Sequence, residues 1–329
     1  MHIEIIKYCL TFVALFVLEL VYFRIADKFN IIDKPTSRGS HNYITIRGGG
    51  VVFWLAAMAY FCLHLSPFTF YLLPFTIGIT LIATVSFWDD IKSLPNKIRI
   101  VIHFVSISCV FYSLGIFTAL NWWLIVVAYI FFVGILNAYN FMDGINGITG
   151  LYSLAVLIAL QVVNYQFINF TQPEFINYAI IACVVFLFFN FRKKARCFAG
   201  DIGSMAISFW IVTLLLQLML KTNSIVWIMF LAIYGVDTVL TILHRIYLKQ
   251  NIFKAHRLHF FQVLCNEKQL SHKFVSSIYA IVQLIICLSV VYCYFYCQNI
   301  SIIFSIAILI ILTSIYLLKF RFLKQNANK

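Results

Sequence analysis

The sequence predicts an all-α, polytopic integral membrane protein of about eleven transmembrane helices. Composition is the first observation behind this. Hydrophobic residues make up 63% of the 329 and charged residues 11%, against roughly 45–50% and about 25% in an ordinary globular domain. That leaves too little polar surface to cover a water-soluble particle. The second observation is that the apolar residues fall into eleven runs close to the ~20 residues a bilayer core requires. The third is that nearly all the positive charge falls in alternate connections between those runs. Fibrous, disordered and disulfide-scaffold classes are excluded, because 13 Gly and 5 Pro stand beside 34 Phe and 18 Tyr with no low-complexity tract.

The runs are 3–23, 46–65, 68–87, 98–116, 121–136, 148–167, 175–190, 203–220, 224–243, 274–294 and 300–319, the fifth and seventh being short. The first has Glu4 and Lys7 at its mouth and no basic segment before it, so it is expected to stay as an anchor and not be cleaved as a signal peptide. No internal repeat or inverted pseudo-symmetry is visible. The chain therefore reads as one transmembrane unit over 1–329, with polar motifs within 33–262 and two C-terminal helices plus a basic tail over 274–329.

Of the 24 Lys and Arg, only Lys7 and Lys221 fall on one side of this arrangement. The other side carries the clusters at 24–47, 92–99, 192–196 and 245–273 and the tail, and by the positive-inside rule it is cytoplasmic. The N-terminus is then outside and the C-terminus inside. The net charge of +13 thus belongs to one face. It is spread over short loops without a recognition module, which argues against nucleic acid as a partner. The nine Cys lie mostly inside runs and form no CxxC pair, so they read as packing residues.

Carboxylates are scarce, and five Asp cluster at or near the cytoplasmic ends of runs: Asp33, Asp89, Asp90, Asp143 and Asp201. Boundary and intramembrane carboxylates are expensive and mark functional sites. In Ser86–Lys92 the adjacent Asp89 and Asp90 repel one another, so they call for a divalent cation, a shared proton or basic partners, with Lys97 and Arg99 close behind; a plain helix-capping turn is the alternative. In Asn137–Gly147, Asn137, Asn140 and Asp143 recur at helical spacing, so three oxygen-bearing side chains converge at a helix end. Asp201 opens the eighth run where an N-cap would stand, and a carboxylate beside helix-N-terminal amides also seats Mg²⁺ and a diphosphate. The longest cytoplasmic loop carries His256, Arg257 and His259, a set that suits phosphate or sugar better than zinc.

The order SRGSH…RGGG, FWDD, NAYNFMDGING, FAGDIGS and AHRLH resembles the polyprenyl-phosphate N-acetylhexosamine-1-phosphate transferases, glycosyltransferase family 4, over roughly residues 33–262. The resemblance implies a multi-pass enzyme of the bacterial inner membrane with its site on the cytoplasmic face. It implies UDP-sugar as donor, polyprenyl phosphate as acceptor, Mg²⁺ (or Mn²⁺) as cofactor, and occasional homodimers. Carried over by position, it implies that Asp201 and Asn140 hold the metal and that Asp89 and Asp90 lie at the reacting phosphates. Asp143 matches the first acid of the family's DGxDG pattern, and Asn146 replaces the second and is kept as a nucleotide contact. Lys97 and Arg99, with Arg38 and His41 of the first loop, match basic substrate-binding positions. The form HRxHxxQ is similar to the branch that initiates O-antigen and capsule with UDP-FucNAc- or UDP-QuiNAc-type donors, a UDP-GlcNAc enzyme being the alternative.

The acceptor of such an enzyme is a phosphate monoester, mostly dianionic at pH 7. It needs alignment and charge neutralisation more than a strong base. Direct attack on the β-phosphate is the expected route, with an aspartyl-phosphate on Asp89 or Asp90 as the other. A secondary transporter is the competing class. It would place carboxylates in mid-run and show internal symmetry.

Overall fold

The structure, a computed structural model, describes residues 2–34, 43–64, 72–251 and 257–327. It is all-α and polytopic, as the composition predicts, because inside hydrocarbon every backbone N–H and C=O must be satisfied within its own segment. In chain order the helices are α1 His2–Lys28, α2 Val51–Leu63, α3 Leu73–Ile91, α4 Asn96–Ser113, α5 Ile116–Ala119, α6 Trp122–Met142, α7 Ile148–Gln166, α8 Pro173–Asn190, α9 Gly200–Thr222, α10 Ala232–Tyr247, α11 Phe260–Asn266, α12 His272–Tyr296 and α13 Ser301–Ala327. Two two-residue strands, β1 Ile32–Asp33 and β2 Thr45–Ile46, pair antiparallel with Ile32 opposite Ile46.

Each of the eleven apolar runs contains a helix among its described residues, and among the described residues eight helical segments are long and apolar enough to cross a membrane. Beside the short α5 and α11, three helices of the apolar runs fall outside that set for visible reasons. Helix α2 has only 13 residues, while α3 and α4 extend into charged motifs, so Asp89, Asp90, Lys97 and Arg99 lie on helical turns. The fifth run is longer than its apolar stretch suggests, because α6 continues through Asn137 and Asn140 to Met142. The eighth begins at Gly200, which brings Asp201 into the first turn of α9.

The ninth run changes character midway, from a 3-10 segment at Ile225–Leu231 to α10. A buried side chain from α12 repairs the backbone there. Gln283 donates to the Met229 carbonyl at 3.0 Å and accepts from the Ile233 N–H at 3.1 Å, while Tyr152 donates to the same Gln283 oxygen at 2.8 Å. Left unmet, such groups cost several kcal/mol in an apolar medium.

Helix α9 is the axis of the bundle: 83% of its most apolar stretch is buried, against 11% for the last span. It meets α2 at a glycine contact so close that a Cβ on Gly50 would lie 2.2 Å from the Gly203 Cα. This approach brings the segments before α2 and α9 into register. Phe198 N–H donates to the Ile46 carbonyl, and Gly49 and Gly50 N–H donate to the carbonyls of Phe198 and Ala199.

Candidate active site

The two Asp of the FWDD motif sit in the last turn of α3, where consecutive side chains point about 100° apart. Asp90 turns inward and is fully buried. Its oxygens accept the backbone N–H of Asp201 at 2.9 Å and of Ile202 at 3.0 Å, together with Arg47 Nε at 2.6 Å. Helix α9 has no side-chain cap of its own, since Ala199 precedes it. Asp90 thus supplies from another helix the anion that the N-terminal amides favour.

Asp89 points elsewhere. It accepts the Leu94 N–H at 2.6 Å and pairs with Arg99 Nη1 at 2.9 Å. The repulsion expected between neighbouring carboxylates is therefore met by basic partners, one arginine for each.

Asp201 ties the two pairs together. Arg47 Nη2 lies 3.6 Å from its Oδ1 and Arg99 Nη2 lies 3.6 Å from its Oδ2. Two guanidinium groups and three carboxylates thus form one cluster, with a net formal charge that is negative. Gly200, at φ +70°, permits it: a Cβ there would lie 2.5 Å from Asp90 Oδ2 and 2.9 Å from the Gly48 nitrogen.

Asn140 reaches the same place from α6, where its Oδ1 accepts from Ser204 Oγ at 3.1 Å, one turn beyond Asp201 on α9. Asp143 caps α6 and accepts from Thr149 Oγ1 at 2.7 Å. Burial raises its carboxyl to about 6, with the nearby Asp90 charge adding to the rise and the Thr149 hydrogen bond opposing it. The loop behind it is fixed by Asn190, which accepts the Gly147 N–H at 2.6 Å and donates to the Cys197 carbonyl at 2.8 Å.

These residues enclose a polar cavity of about 270 Å³ whose walls include Asp33, Arg47, Asn140, Asp143, Asp201 and Gln262. Asn146 lies on its wall too. Its Nδ2 donates to Tyr43 Oη at 3.1 Å and to the Arg192 carbonyl at 2.9 Å, tying the 192–195 turn to the site.

Other expected residues stand apart. Asn137 donates to the Val133 carbonyl of its own helix at 2.8 Å and is not on the cavity wall, so the convergence expected of Asn137, Asn140 and Asp143 holds for the last two only. Lys97 is exposed on the first turn of α4, and Arg257 is exposed. His259 is buried, with Nδ1 3.2 Å from Asp237 Oδ1. Arg38, His41 and His256 lie outside the described residues.

Arg47 was not among the expected site residues, although it bridges Asp90 and Asp201. Its signal was its place directly before three glycines, where the backbone packs against the segment that opens α9.

The donor set fits a hard cation that is completed by substrate. Asp201 and Asn140 present two oxygen-bearing side chains to one cavity. Among the described residues no three His, Cys, Asp or Glu form a metal cage. Mg²⁺ takes one or two protein carboxylates plus phosphates and water, so this sparse set suits it, whereas a structural zinc would want four ligands.

Comparison with known proteins agrees with this geometry. Residues 72–219, which hold FWDD, NAYNFMDGING and FAGDIGS, match the model of glycosyl transferase family 4. A Bacillus subtilis protein named "Probable undecaprenyl-phosphate N-acetylglucosaminyl 1-phosphate transferase" is 25% identical over 270 residues, 78% of this chain and 75% of that one. The phospho-N-acetylmuramoyl-pentapeptide-transferases of Dictyoglomus turgidum and Dictyoglomus thermophilum are 26% and 30% identical over 186 residues, 50% of this chain. Here the chain spans 57%, little more than half, of each relative's length. With its motifs in order and folded onto one cavity, the chain is similar to glycosyl transferase family 4 over residues 72–219.

Proposed function

We propose that the protein transfers an N-acetylhexosamine-type sugar-1-phosphate from a UDP-sugar to polyprenyl phosphate, giving polyprenyl-diphosphate-sugar and UMP. The observation that carries this is the joining of Arg47 and Arg99 to Asp201, which together with Arg47 lines a polar cavity. Each arginine is anchored by its own Asp of α3, which leaves part of each fork for phosphate oxygens. With a divalent cation offsetting the cluster's net negative formal charge, such a site would bind a diphosphate and align it, which is most of what phosphoryl transfer asks of a protein.

In this reading an oxygen of the acceptor phosphate forms a bond to the donor's β-phosphorus as the bond from that phosphorus to the UMP oxygen breaks. Asp201 and Asn140 would hold Mg²⁺, which when bound neutralises charge on the diphosphate. Arg47 and Arg99 share that charge, and Asp143 takes up any proton left on the acceptor. Direct transfer is favoured over an aspartyl-phosphate, because the Asp90 oxygens are engaged by two amides and Arg47, and Asp89 by Leu94 N–H and Arg99. Neither is on the cavity wall. Asn146 contributes to the nucleotide side, and Arg38, His41 and His256 are proposed as further contacts to the bound phosphates.

The charge pattern supports a bacterial inner-membrane protein with the site on the cytoplasmic face, the N-terminus outside and the C-terminus inside. On the donor, the HRxHxxQ loop favours a UDP-FucNAc- or UDP-QuiNAc-like sugar for O-antigen or capsule assembly. The name of the Bacillus subtilis relative favours UDP-GlcNAc. The test is a panel of labelled UDP-sugars, including UDP-MurNAc-pentapeptide, offered with undecaprenyl phosphate to detergent-purified protein. One donor giving lipid-linked label and equimolar UMP is the expected result. UMP released in a burst without acceptor would overturn direct transfer, and no product from any donor would overturn the reaction class.

A further inference from the structure

A second cluster of buried polar groups lies outside the cavity, around a carboxylate in the body of a candidate span. Asp237 of α10 is buried, and its oxygens receive donors from three elements. His259 Nδ1 lies 3.2 Å from Oδ1, Thr241 Oγ1 donates to Oδ1 at 3.2 Å, and Tyr279 Oη of α12 donates to Oδ2 at 3.0 Å. The Phe260 N–H, which opens α11, is shared between both oxygens at 3.0 and 3.1 Å. Thr241 also meets Tyr316 of α13 at 2.9 Å, so four helices are keyed to this one side chain.

A buried acid in a membrane helix is costly and is kept only for what it organises. What it organises here is the start of α11, a short helix too small to hold its own position. One residue into that helix, the Phe261 ring packs on Gly144, whose Cβ, if present, would lie 2.9 Å from it. At the next position Gln262 reaches the cavity wall, and its Oε1 accepts the His259 N–H at 3.2 Å to close a capping box. Asp237 therefore sits at one end of a rigid path, through Phe260 and His259, to Gln262 and the loop that carries Asp143.

We propose that Asp237 is a positioning residue for donor binding: it locks the first turn of α11 so that Phe261 and Gln262 close the Asp143–Asn146 wall, with His259 acting as its inward partner. This rests on the transferase reading for its kinetic consequence but not for its structural one. The test uses the full chain in detergent, comparing wild type with Asp237→Asn and the milder Tyr279→Phe. Asp237→Asn removes the charge and turns one of the two acceptor oxygens into a donor, so Thr241, Tyr279, His259 and the Phe260 N–H compete for a single acceptor. It is expected to raise donor KM at least 10-fold with acceptor KM within 2-fold. Tyr279→Phe, which removes one donor of several, is expected to raise donor KM about 3-fold.

Hydrogen exchange supplies the readout that does not depend on turnover. Amides of 259–264 should exchange at least 10-fold faster in Asp237→Asn, with α3 and α9 unchanged. Donor and acceptor KM rising together, exchange accelerated throughout the bundle, or no change in either variant would each overturn the proposal. A wild-type chain that uses no UDP-sugar contradicts the transferase reading alone, and the exchange measurement then decides on Asp237.

Discussion

The Asp90 carboxylate of α3 caps the helix that Asp201 opens, accepting the Asp201 N–H at 2.9 Å while Arg47 holds its other side at 2.6 Å. The two acids of the FWDD motif therefore have different work. Removing one partner of a buried charge pair costs about 3–5 kcal/mol, and loss of a cap about 1 kcal/mol. Because Arg47 remains 34% exposed, the cost for Asp90→Ala is expected near the lower end of that range. Asp90→Ala should lower Tm more than Asp89→Ala does, as measured by thermal unfolding in one detergent.

Gly200 and Gly134 make a matched pair. At Gly200 a methyl would meet the Asp90 carboxylate and the Gly48 backbone, at φ +70°, so Gly200→Ala should destabilise by more than about 1 kcal/mol and abolish turnover. At Gly134 of α6 nothing lies within 4 Å of the added carbon, and Ala there should be neutral or stabilising by up to about 1 kcal/mol. Thermal unfolding with activity on the same samples checks both.

The Asp143 carboxyl, held at about 6 by burial, carries a pH signature. Its folded value lies above the ~3.9 of an unfolded Asp. The folded state then binds more protons between those values, and stability falls as pH rises from about 4 through 6. Asp143→Asn should flatten that fall. Turnover that needs the ionised form should rise across pH 6, and Thr149→Val, which removes the hydrogen bond opposing the shift, should move that rise to higher pH in a pH–rate profile.

Charge reversal of importance is expected between two neighbours on α4. Arg99 reaches both Asp89 and Asp201, whereas Lys97 is exposed. Arg99→Ala should reduce kcat/KM at least 100-fold and Lys97→Ala by less than 10-fold. Lys221→Ala, in the last turn of α9 at the end away from the cavity, should leave kinetics unchanged.

The apolar runs and the charge pattern made the helices legible, since a bilayer admits few other solutions. Asp201, Asn140 and Asp143 were legible because polar side chains in such runs have few structural reasons to be there. Arg47 was not, because a basic residue near a span end serves topology equally well; only the fold shows that three glycines bring it against Asp90. Helical spacing placed Asn137 with Asn140 but did not show that it would bond back to its own helix. Sequence alone sets His259 beside Arg257 as a phosphate or sugar contact, whereas its inward turn depends on Asp237, 22 residues away in sequence.

The most direct measurement is transfer of labelled sugar-1-phosphate to undecaprenyl phosphate by wild type and Asp201→Asn, each with and without Mg²⁺, alongside their Tm values. The expected result is lipid-linked product and UMP from wild type only with Mg²⁺, and a folded Asp201→Asn protein at least 100-fold slower. A folded Asp201→Asn protein with wild-type turnover would contradict the placement of the reaction at this cavity.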